Sequence, residues 1–73
     1  MFIIGKDGTT AVDIEMVTAI RIDNEGGQIS VQVRADGVWL TMAIFNSNNE
    51  NTNLALAKAC LVEFVDKLNE VTE

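Results

Sequence analysis

The chain contains no histidine, no tyrosine, one cysteine and only five basic side chains among its 73 residues. Without histidine, zinc sites of the usual Cys/His type are excluded. One cysteine cannot form an intramolecular disulfide, and a lone cysteine suits a reducing compartment. Eleven acidic side chains against the five basic ones give a net charge of −6, which argues against direct nucleic-acid binding.

Long apolar runs are also missing. No stretch approaches the roughly 20 residues that cross a bilayer, and residues 1–4 are too short for the core of a signal peptide. We therefore expect a cytoplasmic protein with no membrane segment, folded as one small domain over residues 1–73. A domain of this size buries only about 60% of its unfolded surface. Because a disulfide and a Cys/His zinc site are excluded, we expect self-association into a homodimer or larger assembly to add the stability that so small a core lacks.

The most regular pattern predicts three antiparallel strands over residues 17–23, 28–35 and 38–45. Asp36-Gly37 is a two-residue hairpin signal, and residues 24–27 are interpreted as a four-residue loop containing two glycines. These turn lengths place mostly apolar side chains on one face, which we assign to the core because a one-residue slip would mix them with polar ones. The three levels of that face are Ile22, Ile29 and Ile44, then Ile20, Val31 and Met42, then Thr18, Val33 and Leu40.

Two further elements complete the predicted fold. A short hairpin over residues 1–14 turns at Asp7-Gly8, and a bulge or bend follows at Glu15-Met16. The predicted fold class is therefore α+β: an antiparallel meander of four to five strands with one C-terminal amphipathic helix packed on one face.

The helix is predicted over residues 54–71, with a start between 49 and 53 after an asparagine-rich loop. Ser47 with Glu50 forms a candidate capping box, and Asn51 or Thr52 could equally cap the helix. Leu56 and Val62 fall outside the apolar arc and could contact a second subunit. The arc itself contains Leu54, Ala57, Cys60, Leu61, Phe64, Val65, Leu68 and Val71.

The other face of the predicted sheet carries the candidate interaction residues. Arg34 is expected directly opposite Trp39, where a cation–π contact can form, and both residue types are common in binding hot spots. Three interpretations stay open: a solvated face on which Trp39 shields an arginine stem, a second small core under the N-terminal hairpin, or a binding face. The residues of this candidate face are Val17, Arg21, Arg34, Trp39 and Phe45.

No residue pattern predicts catalysis, a metal site or a cofactor. Cys60 lies on the apolar arc without a histidine to activate it, so we expect it to pack in the core. The carboxylates lie mostly in turns or at strand ends and show no arrangement that would split their pKa values. Neither a calcium loop nor a glycine-rich phosphate loop occurs.

The outline of the chain resembles a group of short uncharacterised proteins of Gram-positive bacteria and their phages or prophages. The resemblance rests on residues 2–4 with Asp7-Gly8, on the segments 11–14 and 17–20, on the long hairpin and on the closing amphipathic helix. It implies a phage-linked accessory protein and assigns no activity to any residue. Trp39 and the asparagine-rich loop are not part of that outline.

Two functional hypotheses result from the sequence. The first is a small non-enzymatic protein-interaction module that self-associates through the outer sheet face. The alternative is an acidic inhibitor, mimicking nucleic acid or countering host defence, of a host protein that handles nucleic acids. Its motivation is the net charge of −6 and the phage-like outline.

Overall fold

The computed structural model describes residues 2–6 and 8–72, with the side chains of residues 71 and 72 left aside. Within this range the chain forms five strands, one short 3-10 turn and one long helix. In chain order they are β1 (Phe2–Ile4), β2 (Ala11–Asp13), the 3-10 turn (Ile14–Met16), β3 (Val17–Glu25), β4 (Gln28–Ala35), β5 (Val38–Phe45) and α1 (Glu50–Thr72).

The α+β class is confirmed, but the single sheet of four to five strands is not found. Strands β3, β4 and β5 form one antiparallel sheet in that order, and β1 pairs with β2 in a separate two-stranded sheet. The 3-10 turn explains the separation, because it redirects the chain between β2 and β3. Asp13 caps this turn by accepting a hydrogen bond from the Glu15 amide at 3.1 Å.

The N-terminal hairpin has the predicted register, with Phe2 opposite Asp13 and Ile4 opposite Ala11. The Gly5 amide donates to the Thr10 carbonyl at 2.7 Å, and Gly8 adopts a positive φ of 75°. Met1 and Asp7, which belonged to the predicted strand and turn, lie outside the described residues.

The turn between β3 and β4 has two residues, so the predicted four-residue loop is wrong. Gly26 and Gly27 occupy it with φ of 62° and 88°, the left-handed region that a tight primed hairpin turn requires. The shorter turn moves the register by two residues and pairs Ile22 with Val31. An even shift keeps the side chains of β3 on their faces and changes only which residues are neighbours.

An irregularity near the start of β3 corrects the placement of Val17. Val17 pairs with Ala35 while Ala19 pairs with Arg34, so Thr18 is an extra residue on this strand. The Thr18 hydroxyl donates to the Arg34 carbonyl at 3.4 Å. One inserted residue exchanges the two faces of the strand, and Val17 therefore packs against the core rather than on the outer face.

A second irregularity, in β5, corrects the placement of Phe45. Val31 pairs with Ala43 while Gln32 pairs with Thr41, which leaves Met42 as the extra residue. Beyond it the predicted faces are exchanged, so Phe45 lies opposite Ile29 on the core side and Ile44 lies on the outer face. The Met42 side chain is 1% exposed, and its carbonyl accepts a hydrogen bond from the Lys6 amide at 2.7 Å.

Helix α1 begins at Glu50, inside the predicted interval, with Asn49 as its cap. The Asn49 side chain accepts from the Thr52 amide at 3.1 Å, so the capping predictions for Ser47, Asn51 and Thr52 are wrong. The apolar arc is confirmed at Ala57, Cys60 and Phe64, which are buried. Leu54 is instead exposed, and Val71 lies outside the described side chains.

All buried apolar side chains of the described chain form one cluster. Ile3, Val12 and Ile14 from the N-terminal hairpin and its 3-10 turn belong to the same cluster as Val33 and Phe64. The inner sheet face is thus covered by α1 and the hairpin together. Of the three open interpretations of the outer face, a second small core under the hairpin does not hold, because the hairpin adds its buried residues to the main core.

Candidate protein-interaction face

The surface of the three-stranded sheet that points away from α1 is the candidate functional site, and we call it the outer face. Register brings Ala19, Arg34 and Trp39 to one level and Arg21, Gln32 and Thr41 to the next. The polar and aromatic side chains of these two levels are Arg21, Gln32, Arg34, Trp39 and Thr41.

Arg21, not Arg34, contacts the tryptophan ring. The Arg21 guanidinium carbon lies 3.9 Å from the centroid of the Trp39 ring, a distance typical of a cation–π contact. The sequence predicted the contact for Arg34 because Arg34 lies directly opposite Trp39. That cross-strand position is confirmed, but the contact with the ring is made by Arg21. The two-residue turn at Gly26-Gly27 places Arg21 one same-face position closer to the level of Trp39 than the predicted register did, and its long side chain reaches across β4 to the ring.

Polar contacts hold the Arg21 side chain in this position. Its Nε donates to Gln32 Oε1 at 2.9 Å, and Gln32 Nε2 donates to Thr41 Oγ1 at 3.4 Å. Gln32 and Thr41 were expected on this face but not named as site residues. A two-residue turn at Gly26-Gly27 places Arg21 opposite Gln32, so this turn length would have predicted their contact from the sequence alone.

Positive charge is concentrated at one end of the outer face, where Arg21 and Arg34 lie, while Asp23 and Glu25 lie on the same face nearer the turn at Gly26-Gly27. Arg21 and Arg34 are the only arginines of a protein with a net charge of −6. Among residues 2–6 and 8–72, neither guanidinium forms an ion pair with a carboxylate. Because the Nε of Arg21 already donates to Gln32, its two terminal nitrogens are the donors left for a partner.

The apolar content of this face is lower than the sequence suggested. Val17 and Phe45 turn to the other side, and Ile44 replaces them as an exposed apolar residue near the far end of the face. Ser30, opposite Ile44, is buried although its side chain lies on the outer side. The face is therefore a polar surface with two arginines beside one aromatic ring, rather than a broad apolar patch.

A second exposed surface surrounds the N-terminal hairpin. Phe2 and Ile4 are 66% and 64% exposed and line a groove of about 390 Å³ together with Lys67 and Glu70. Nearby, Lys6 Nζ and Glu63 Oε2 form an ion pair of 2.9 Å. This hydrogen bond, and then the attraction of the charges, raises the pKa of Lys6 and lowers the pKa of Glu63. Both side chains are exposed, so the pair tethers hairpin to helix weakly.

Cys60 is buried in the core, as predicted. Burial raises the pKa of its thiol above the ordinary value, which keeps it in the unreactive protonated form. No group of three or more potential metal ligands occurs in the described part of the chain.

Burial of Cys60 gives a first testable prediction. In native buffer, the thiol is expected to react with 5,5′-dithiobis(2-nitrobenzoic acid) about 100-fold or more slowly than in concentrated urea, since the reagent must wait for opening of the core. Release of the coloured thiolate measures both rates. Equal rates in the two conditions would contradict the burial of this side chain.

Comparison with known proteins gives no relative from which a role could be transferred. No family model, no curated protein and no solved structure matches the chain. Among the described residues, no helix combines the length and the apolar character needed to cross a membrane.

Proposed function

We propose that this protein is a small non-enzymatic interaction module whose outer face binds a carboxylate-bearing segment of a partner protein. The observation that carries the proposal is the contact of Arg21 with Trp39 and the position of Arg34 directly opposite Trp39, with neither guanidinium paired to a carboxylate in the described chain. Guanidinium groups match carboxylates in geometry and charge. A tryptophan ring beside them supplies the apolar anchor that binding hot spots commonly have.

The chemistry of the arginine pair favours a protein partner over nucleic acid. Nucleic-acid binding gains most of its affinity from releasing counterions around many phosphates, and two arginines on a chain of net charge −6 supply little of it. One or two carboxylates, by contrast, are matched by two guanidinium groups. The acidic remainder of the surface also repels a long polyanion, while a short acidic segment need only approach the outer face.

Self-association stays a proposal, but the outer face is a poor surface for it. The face carries two arginines and two carboxylates, Asp23 and Glu25, and little exposed apolar surface, so two copies placed face to face would bury charged groups for little apolar gain. The acidic-inhibitor hypothesis and the link to phages stay predictions from the sequence. No specific feature of the fold favours either over the module proposed here.

Trp39 is the only tryptophan and lies within the proposed site, so its fluorescence can report binding. We expect a synthetic oligoglutamate peptide to change Trp39 emission saturably at low salt, whereas oligolysine should have no effect. Replacing both arginines, R21Q with R34Q, is expected to weaken this binding about tenfold or more, because each guanidinium supplies a charge-assisted hydrogen bond of about 1 kcal/mol or more.

The matched control removes the same charge from the helix, by K58Q with K67Q. Both lysines are exposed on α1, so the control should bind oligoglutamate within about twofold of the wild type at equal salt. Two results would contradict the proposal: no saturable change in the wild type, or equal losses in the two double variants. The second would show that only net charge matters.

A further inference from the structure

The edge of the three-stranded sheet at β3 has a free row of backbone groups. β3 is the first strand in the sheet order β3–β4–β5, so only one of its sides pairs with a neighbour. Among the described residues, it makes no backbone hydrogen bond to any element other than β4. Long edges of this kind are templates for pairing with another strand, and proteins usually shorten, charge or cover them.

The regular part of this edge is symmetric about one residue. It runs from Ala19, just after the extra residue Thr18, to Glu25, just before the turn at Gly26, and Ile22 is its central position. Alternate residues of an antiparallel strand direct their backbone groups to opposite sides. Glu25 and Gln28 close a two-residue turn as a hydrogen-bonded pair, so the backbone N–H and C=O of Glu25 point towards β4. Ile20, Ile22 and Asn24 have the other parity, so their backbone N–H and C=O groups point to the free edge.

We propose that β3 pairs with β3 of a second copy of this chain, antiparallel and centred on Ile22, to form a continuous six-stranded sheet. In this register Ile22 faces Ile22 of the second copy, and Ile20 faces Asn24. All of these residues direct their backbone N–H and C=O groups to the edge, so each N–H of one β3 meets a C=O of the other. The arrangement is isologous, as a two-fold dimer requires, and it goes beyond the binding of a partner by the outer face.

The charges of the strand select this register over its neighbours. Centring on Ile22 places Arg21 across from Asp23 of the second copy, twice by symmetry; to pair there, the Arg21 side chain leaves Trp39 and Gln32 and turns to the free edge. Asp23 forms no ion pair among the described residues. Centring on Arg21 or on Asp23 would instead place two like charges directly opposite each other, which is destabilising. Opposite charge across the edge therefore identifies the occupant as a second copy of this chain.

The helix offers a matching apolar surface on the β3 side. Glu63 contacts Lys6 of the hairpin, and at 100° per residue Leu54 lies on the opposite flank of α1. Leu61 and Val65 lie close to that flank and are half-buried, and Leu54 is exposed. Because a continuous sheet places both helices on the same side, these flanks face each other across the dimer axis.

The test is a charge exchange followed by sedimentation equilibrium. We expect the wild type to dimerise at or below about 100 μM. D23R should weaken the dimer about tenfold or more, because it places two arginines opposite each other at two symmetric positions. The double variant R21D with D23R restores opposite charges in the same register and should recover dimerisation. D66R, which makes the same charge change on an exposed position of α1, should leave the dimer unchanged.

Circular dichroism checks that every variant is folded. The variant W39A distinguishes the edge dimer from self-association through the outer face. The edge dimer should persist in W39A, whereas a dimer through the outer face should be lost. A wild type that is monomeric at about 100 μM, a dimer indifferent to D23R, or one abolished by W39A would each overturn the edge pairing. None of these results depends on the oligoglutamate titration, so the two proposals fail separately.

Discussion

Replacing Phe64 by alanine is expected to lower the free energy of unfolding by about 3–5 kcal/mol. Its side chain is 2% exposed and belongs to the cluster that joins the helix, the sheet and the N-terminal hairpin. The substitution removes a large apolar group and leaves a cavity that its rigid neighbours can only partly fill. A single small core rarely supplies more than about 3–5 kcal/mol, so much of the F64A protein should be unfolded at 25 °C.

Urea unfolding followed by circular dichroism measures this effect. V62A is the matched control, since Val62 lies two residues earlier on the same helix and is 55% exposed. It should change the free energy of unfolding by no more than about 0.5 kcal/mol. Similar losses in F64A and V62A would contradict the orientation of the helix on the sheet.

Replacing Asn53 by alanine is expected to cost about 2–3 kcal/mol, an unusual loss for an asparagine in a polar loop-helix junction. Its side chain is 1% exposed. The Ser47 amide and hydroxyl donate to Asn53 Oδ1 at 3.1 and 2.6 Å, and Asn53 Nδ2 donates to the Ser47 carbonyl at 3.0 Å. Alanine would leave a backbone donor and acceptor of the loop without these partners.

The control for N53A is N51A, in the same turn of the helix. Asn51 is exposed, and alanine is the better helix former, so N51A should be neutral or slightly stabilising. The same urea titration compares both variants. If N53L unfolds at the wild-type urea concentration, the site requires only a filled volume and the hydrogen-bond argument fails.

Asn53 occupies a buried helix position that the apolar pattern of the helix did not predict. The apolar arc was predicted to start at Leu54, but Leu54 is exposed and Asn53 takes the buried place one position earlier. Asparagine was assigned to turns and caps, and one asparagine, Asn49, does cap the helix. The buried role of Asn53 depends on Ser47 folding back over the helix start, a contact between side chain and loop that no periodicity encodes.

The outer face was predicted in part. Arg21, Arg34 and Trp39 lie on it because the alternation of strand residues fixes their side between the two inserted residues. Val17 and Phe45 lie beyond Thr18 and Met42, where one extra residue exchanges the faces. The position of a bulge is set by how neighbouring strands fit together around a shared core, so local sequence carries little signal for it.

The strands, turns and helix of this protein follow from local sequence, because turns and amphipathic periods are local properties. Asp36-Gly37 predicts the turn between β4 and β5, Gly26-Gly27 forms the turn between β3 and β4, and residues 54–71 have the helical period. Where the N-terminal hairpin packs, how Met42 is accommodated and which side of β5 holds Phe45 depend on packing between distant segments. These depend on contacts between distant residues, such as the Lys6 amide with the Met42 carbonyl, whose geometry is set by filling one shared core.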